Sequence, residues 1–114
     1  MSELSRAPFL ATGRTIAVAA ASTAPAGVIA PVASGQDGGQ YRVVNAGTTT
    51  VFLGVGATAA TAQSASVAPI AGTPSGAIPL LAGAVEILSF GEGAFFSGQS
   101  SAAATVYITP GTGL

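Results

Sequence analysis

Cysteine, histidine, lysine and tryptophan are all absent from this 114-residue chain, and only seven residues are ionised at neutral pH: Glu3, Arg6, Arg14, Asp37, Arg42, Glu86 and Glu92. Each absence closes a class of function. Without Cys there is neither a disulfide nor a thiolate metal site. Without His, general acid–base chemistry falls to four carboxylates that stand far apart in the sequence. Glu86 and Glu92 flank one expected turn and read as solvated charges that discourage strand pairing. The eleven Ser have no ordinary base to activate them. Oxygen ligands are too sparse to suggest a hard-cation site. Three scattered Arg cannot neutralise a run of phosphates, which removes nucleic acid as a partner. The expectation is a chain that is not an enzyme and that takes no cofactor and no metal.

Scarcity of charge also speaks about the surface. Charged residues make up 6% of the chain, where an ordinary soluble surface carries about 25–35%. Either partners cover much of this surface, or Thr, Ser, Gln and Gly solvate it. The first reading is preferred. The apolar segment from Thr15 to Ala33 is interrupted by Pro25 and Pro31 and is built of Ala, Ser, Thr and Gly without Leu or Phe. A membrane span needs about 20 strongly apolar residues, so none is expected here and no membrane partner is assigned. Arg14, the apolar run and Ala24-Pro25-Ala26 mimic a signal peptide; the expectation is an uncleaved product made in the cytoplasm.

What is present is punctuation. Sixteen Gly and seven Pro are spread along the chain, and ordinary helices tolerate neither well. Strand patterns are clear in several places. Tyr41 to Asn45, the turn at Asn45-Ala46-Gly47, and Thr50 to Val55 read as a hairpin. Val51, Leu53 and Val55 share one face and Phe52 lies on the other. Ala84 to Phe90, Gly91-Glu92-Gly93 and Ala94 to Ser97 read as a second hairpin. Ala104 to Thr109 alternates with Val106 and Ile108 inward, and Pro110-Gly111 ends it. Weaker strands are expected over Thr15–Ala19, Val28–Val32, Ser64–Ala68 and Ala77–Leu80. Gly35 to Gly39 and Ala71 to Gly76 read as loops. About eight short strands at regular spacing predict an all-β fold, a jelly-roll-like or Greek-key β-sandwich. An inner face rich in Ala and Gly lets two sheets approach closely. Residues 13–114 are expected to form this single domain, with residues 1–12 as an extended arm whose Leu4, Pro8, Phe9 and Leu10 are apolar without a strand period.

Gly54-Val55-Gly56-Ala57-Thr58-Ala59 matches G-x-G-x-x-A after a strand, the pattern of a dinucleotide-binding turn. The context fails, because no acidic residue stands about 20 positions on and the chain is too short for that fold. A Gly-rich strand end or bulge is the expected role. Phe95 and Phe96 are adjacent, so in a strand they point to opposite faces. One meets the core; the other meets solvent or a partner. Leu4, Pro8, Phe9, Leu10, Phe95 and Phe96 are therefore the candidate interface residues.

Gln40 to Gly47, Val51 to Gly56 and Thr105 to Leu114 together resemble small structural proteins of tailed bacteriophages, and are similar to capsid decoration, or cement, proteins with jelly-roll-like folds. The similarity spans residues 40–114. It implies a virion protein on the capsid exterior, whose partners are the major capsid protein and copies of itself in a homo-oligomer. It implies an adhesive mechanism, in which many weak contacts on a lattice act together, and it brings no catalytic residues. Two other readings stand beside it: a phage tail, head-fibre or receptor-binding component, and a free carbohydrate-binding β-sandwich module.

Overall fold

The computed structural model describes residues 9–113. Its elements follow in the order β1 (Leu10–Ala11), β2 (Ile16–Ala20), β3 (Val28–Ile29), β4 (Gln40–Asn45), β5 (Val51–Gly56), α1 (Ala59–Ala65), β6 (Ile78–Leu80), β7 (Val85–Ser89), β8 (Phe95–Ser100) and β9 (Ala104–Thr112). They build two antiparallel sheets. The first runs β1-β9-β4-β7, with β2 beside β1 on the same side of β9. The second runs β3-β8-β5-β6. From β2 onward the chain changes sheet at every connection except the one from β5 to β6. The expected all-β class holds, with one short helix added.

Period-two alternation drives this arrangement. In β4, Tyr41, Val43 and Asn45 are buried while Arg42 is exposed. In β9, Val106 and Ile108 are fully buried, as their alternation predicts, while Tyr107 is exposed. Val51 and Leu53 of β5 and Phe96 of β8 meet them from the other sheet in one core. Small residues set how close the sheets come. A Cβ at Gly98 would stand 2.8 Å from Val51 Cγ1 and 3.2 Å from Ala20 Cβ. The aromatic centre is Tyr41 edge-on to Phe96 at 4.9 Å, with Phe90 about both at 6.2 and 6.0 Å. The buried Tyr41 hydroxyl donates to the Gly91 carbonyl at 2.9 Å, so no donor is stranded in the core.

Neither expected hairpin forms. β4 pairs with β7 and β9, and β5 pairs with β6 and β8. Both Asn45-Ala46-Gly47 and Gly91-Glu92-Gly93 lie in crossings from one sheet to the other. Asn45 explains the first crossing. Its side chain is fully buried, where a hairpin turn would leave it at the surface. Its amide nitrogen donates to Thr49 and Leu80 carbonyls, both at 2.9 Å, and its oxygen accepts from Gly47 N–H at 2.9 Å. The Asn45 backbone also bonds Gly83 and Ala84. One amide thus ties the β4–β5 crossing to the β6–β7 connection.

The arm was expected to run to residue 12. Its last part instead belongs to the sheet: Leu10 pairs with Thr112 and Ala11 with Gly111, and Thr12 is buried. Likewise β9 does not stop at Pro110 but continues to Thr112. Proline inside a sheet lacks a ladder donor. Here the gap is filled from outside. Thr12 N–H donates to Pro110 O at 2.9 Å, and Thr12 O, which Pro110 cannot reach with a donor, accepts from Ala33 N–H at 2.7 Å. The edge therefore breaks between β1 and β2. Gly13 threads this break, where a Cβ would stand 2.4 Å from Pro31 O and 2.6 Å from Pro110 Cγ.

The expected strand over Ser64–Ala68 is replaced by α1, which ends at Ala65. Thr58 caps it: its hydroxyl accepts from Thr61 N–H at 3.1 Å, and the Thr61 hydroxyl accepts from Thr58 N–H at 3.0 Å. The G-x-G-x-x-A stretch makes the seat. A Cβ at Gly54 would stand 2.3 Å from Ala62 O, and one at Gly56 would stand 2.7 Å from Ala62 N. Ser66 is fixed at the far end by its hydroxyl bond to Ala62 O at 2.8 Å.

Candidate interaction surface

The two sheets differ on their outer sides. Outside β5 and β8 lie α1 and the chain from Ala21 to Gly27. Gly27 N–H donates to Ala59 O at 3.1 Å, Gln63 Nε2 to Ala24 O at 2.9 Å, and Ser97 Oγ to Pro25 O at 2.6 Å. That outer side is covered, and Ser97 is buried beneath it.

Among the described residues, no such layer lies on the outer side of the β2-β9-β4-β7 sheet. Register places Ala17, Tyr107, Val44 and Val85 in one row across all four strands. Tyr107 is 44% exposed and Val85 51%. The next row holds Thr15, Thr109, Arg42 and Ile87, with the Thr15 and Thr109 hydroxyls 2.6 Å apart and Ile87 51% exposed. On the other side of the apolar row, Ala19 pairs with Thr105. Among the described residues, Arg42 is the single charged residue on this face. This nearly uncharged sheet face, with Tyr107, Val85 and Ile87 exposed on it, is the candidate interaction surface.

The sheet edges are blunted. β3 has two residues and β6 three, with Pro79 in its middle. The β1–β2 edge is broken at Thr12 to Thr15, and Ala21 beyond it bridges to Gln99 of the other sheet. β7, like β2, is an open edge of five residues, and its Glu86 is exposed at the register position opposite buried Val43. Short strands, proline and charge on an edge all oppose strand addition. The faces, not the edges, are what this molecule offers.

The candidate interface residues from the sequence are scattered. Leu4 and Pro8 lie outside the described residues. Phe9 is half-buried with its ring against Gly111, and Leu10 is 61% exposed at the sheet edge. Phe95 is half-buried on the covered sheet's outer side, paired with Ile29. Phe96 is fully buried in the core, so it is not a surface residue at all. The face built by Tyr107, Val44, Val85 and Ile87 was missed. Its signal was present as apolar residues at outward positions of Tyr41–Asn45, Ala84–Phe90 and Ala104–Thr109, but nothing in the sequence placed those strands side by side.

Two clefts border these surfaces. One, of about 390 Å³, is lined by small residues including Ala19, Ala46, Gly47 and Ala103 beside Tyr107. Another, of about 330 Å³, lies between the end of β5 and the β7–β8 connection and includes Phe90 and Glu92. Among the described residues no three acidic, His or Cys side chains cluster to hold a metal, and no helix is long and apolar enough to cross a membrane. Every buried side-chain N or O atom among them has a hydrogen-bond partner. No family model matches the chain, and neither curated proteins nor solved structures gave a match.

Proposed function

We propose that this chain is a non-enzymatic virion structural protein with a jelly-roll fold, a capsid decoration protein that binds the outer surface of a phage head and holds major capsid subunits together. The observation that carries the reading is the winding of the chain. Taking β2 to β9 as eight strands, the sheets read first-eighth-third-sixth and second-seventh-fourth-fifth. This is the order obtained by rolling one long antiparallel ribbon into two Greek keys, an architecture used by viral capsid and lectin domains. The bare, charge-poor face supports the same conclusion, because docking it removes few ions from water. On a lattice, many such weak contacts add through effective concentration.

The test is cryo-electron microscopy of the particle from which the chain comes. Density repeated across capsid-subunit junctions over the whole shell is the expected result. Density confined to a tail or vertex would transfer the chain to the fibre or receptor-binding reading. A chain absent from particles, with a melting temperature raised by sugars, would make it a lectin-like module.

A further inference from the structure

We propose that the Asp37–Gly38 peptide is a self-modification site, at which the chain converts its one aspartate to isoaspartate through a cyclic imide, assisted by the Thr12 hydroxyl. The reaction needs no partner, so it stands whether or not the chain decorates a shell.

Ring closure joins the Gly38 backbone nitrogen to Cγ of the neutral Asp37 carboxyl. The C–N bond forms, the Cγ–OH bond breaks, and the hydroxyl leaves with the Gly38 amide proton as one water. A second water then opens the imide. Attack at the Cγ carbonyl restores aspartate. Attack at the former peptide carbonyl leaves Gly38 joined to Cγ, which is isoaspartate. Water is the only co-reactant, and nothing is oxidised or reduced.

The local structure favours closure at this peptide. Asp37 is exposed, so water reaches its carboxyl. The Gly38 N–H has no acceptor among the described residues, so the attacking nitrogen is not held in a hydrogen bond. Glycine also leaves that nitrogen without a neighbouring side chain to shield it. Thr12 Oγ1, from a buried residue, donates to Asp37 O at 2.5 Å. When the Gly38 amide gives up its proton, the negative charge spreads onto that oxygen, because the two atoms share one conjugated peptide. A hydroxyl already aimed there stabilises the anion as an oxyanion donor does. Asn45, the one asparagine, is the contrast within the same chain. It closes the same ring with loss of ammonia. Here its amide is held by the Thr49 and Leu80 carbonyls and by Gly47, and the nitrogen that would attack, Ala46 N, donates to Thr105 O at 2.9 Å. Folding therefore protects Asn45 and leaves Asp37 open. The product lengthens the main chain by a methylene beside Gly38, where a Cβ would already stand 2.4 Å from Val32 Cγ2. The loop leading into β4 must then move away from Val32 and from Thr12.

Ageing the full chain for weeks in mildly acidic buffer tests this, read by peptide mapping and by methyl transfer from an isoaspartate-specific methyltransferase. A transient species lighter by one water is expected, followed by isoaspartate at residue 37 with Asn45 intact. Thr12→Val removes the hydroxyl and keeps the backbone bonds of residue 12 to Pro110 and Ala33. It should slow the conversion several-fold while the melting curve stays cooperative. Thr12→Ser keeps the donor and should keep the parent rate. Urea gives a measurement that needs no variant. Unfolding removes the Thr12 bond and releases Asn45, so the unfolded parent should convert Asp37 more slowly and begin to deamidate at Asn45. An Asp37 that stays intact over a course in which a free peptide spanning residues 34–41 converts overturns the proposal. So does faster conversion of Asp37 in urea than in the folded chain, a cooperative Thr12→Val chain that converts at the parent rate, or loss of Asn45 before Asp37.

Discussion

At the scale of single residues, Asn45 carries more of the structure than its place in an apparent turn suggests. It is buried and its amide joins two connections between the sheets. Removing it strands the buried Leu80 acceptor and takes their partner from the half-buried Gly47 donor and Thr49 acceptor. Asn45→Ala should therefore cost roughly 2–4 kcal/mol, since each buried polar group left unpaired costs about 1–3 kcal/mol. Urea unfolding gives the midpoint shift that checks this. Gly54 is a second such position. Gly54→Ala drives a Cβ into the Ala62 carbonyl, 2.3 Å away, and into the Ser66 hydroxyl at 2.2 Å. Because backbone rather than a flexible side chain blocks it, α1 must lift, with a loss of about 1–3 kcal/mol expected from overpacking. A variant as stable as the parent would mean that α1 does not sit where β5 places it.

At the scale of elements, β9 is the strand on which the first sheet depends. It pairs with β1 and β2 on one side and β4 on the other. Its inward side chains, Val106 and Ile108, are fully buried between both sheets. Val106→Asp puts an unpaired charge at that position and should leave no folded population by circular dichroism, since an isolated carboxylate in an apolar core is far costlier than any contact it replaces. The helix is a contrasting case. Seven residues are too few to be stable alone, so α1 persists by its Thr58–Thr61 capping box and its seat on Gly54 and Gly56. Thr58→Ala should lower stability by about 0.5–2 kcal/mol while leaving both sheets intact, which amide hydrogen exchange can localise to residues near α1.

At the scale of the whole molecule, the chain joins its two ends. Ile16 pairs with Ile108 and Leu10 with Thr112, so the first sheet closes only when nearly the full length is in place. Such non-local pairing delays folding, because loop closure must precede the contacts that reward it. Stopped-flow refolding is expected in the millisecond-to-second range typical of β-sandwiches; microsecond folding would contradict this topology. The second whole-molecule consequence concerns salt. A face with one charged side chain gains little from Coulomb attraction, so binding of a partner to it should hold or strengthen as ionic strength rises. A sharp weakening in salt would show that ion pairs, not the apolar row, hold the partner there.

The sequence by itself determined what does not depend on which strands are neighbours. The all-β class, the inward positions of Val51, Leu53, Val106 and Ile108, and the absence of His and Cys follow from local alternation and composition. These properties belong to each strand singly. Only the tertiary structure decided the rest. Asn45-Ala46-Gly47 has the composition of a hairpin turn, yet a turn residue cannot reveal whether the next strand returns beside the last or crosses to the opposite sheet. That choice rests on long-range burial, here on Asn45 finding carbonyl partners 35 positions away. The helix at Ala59–Ala65 was hidden for a related reason: its capping box is local, but its seat is made by glycines in β5. The candidate face was hidden most deeply, because Ala17, Val44, Val85 and Tyr107 become one surface only through strand pairings that span the chain.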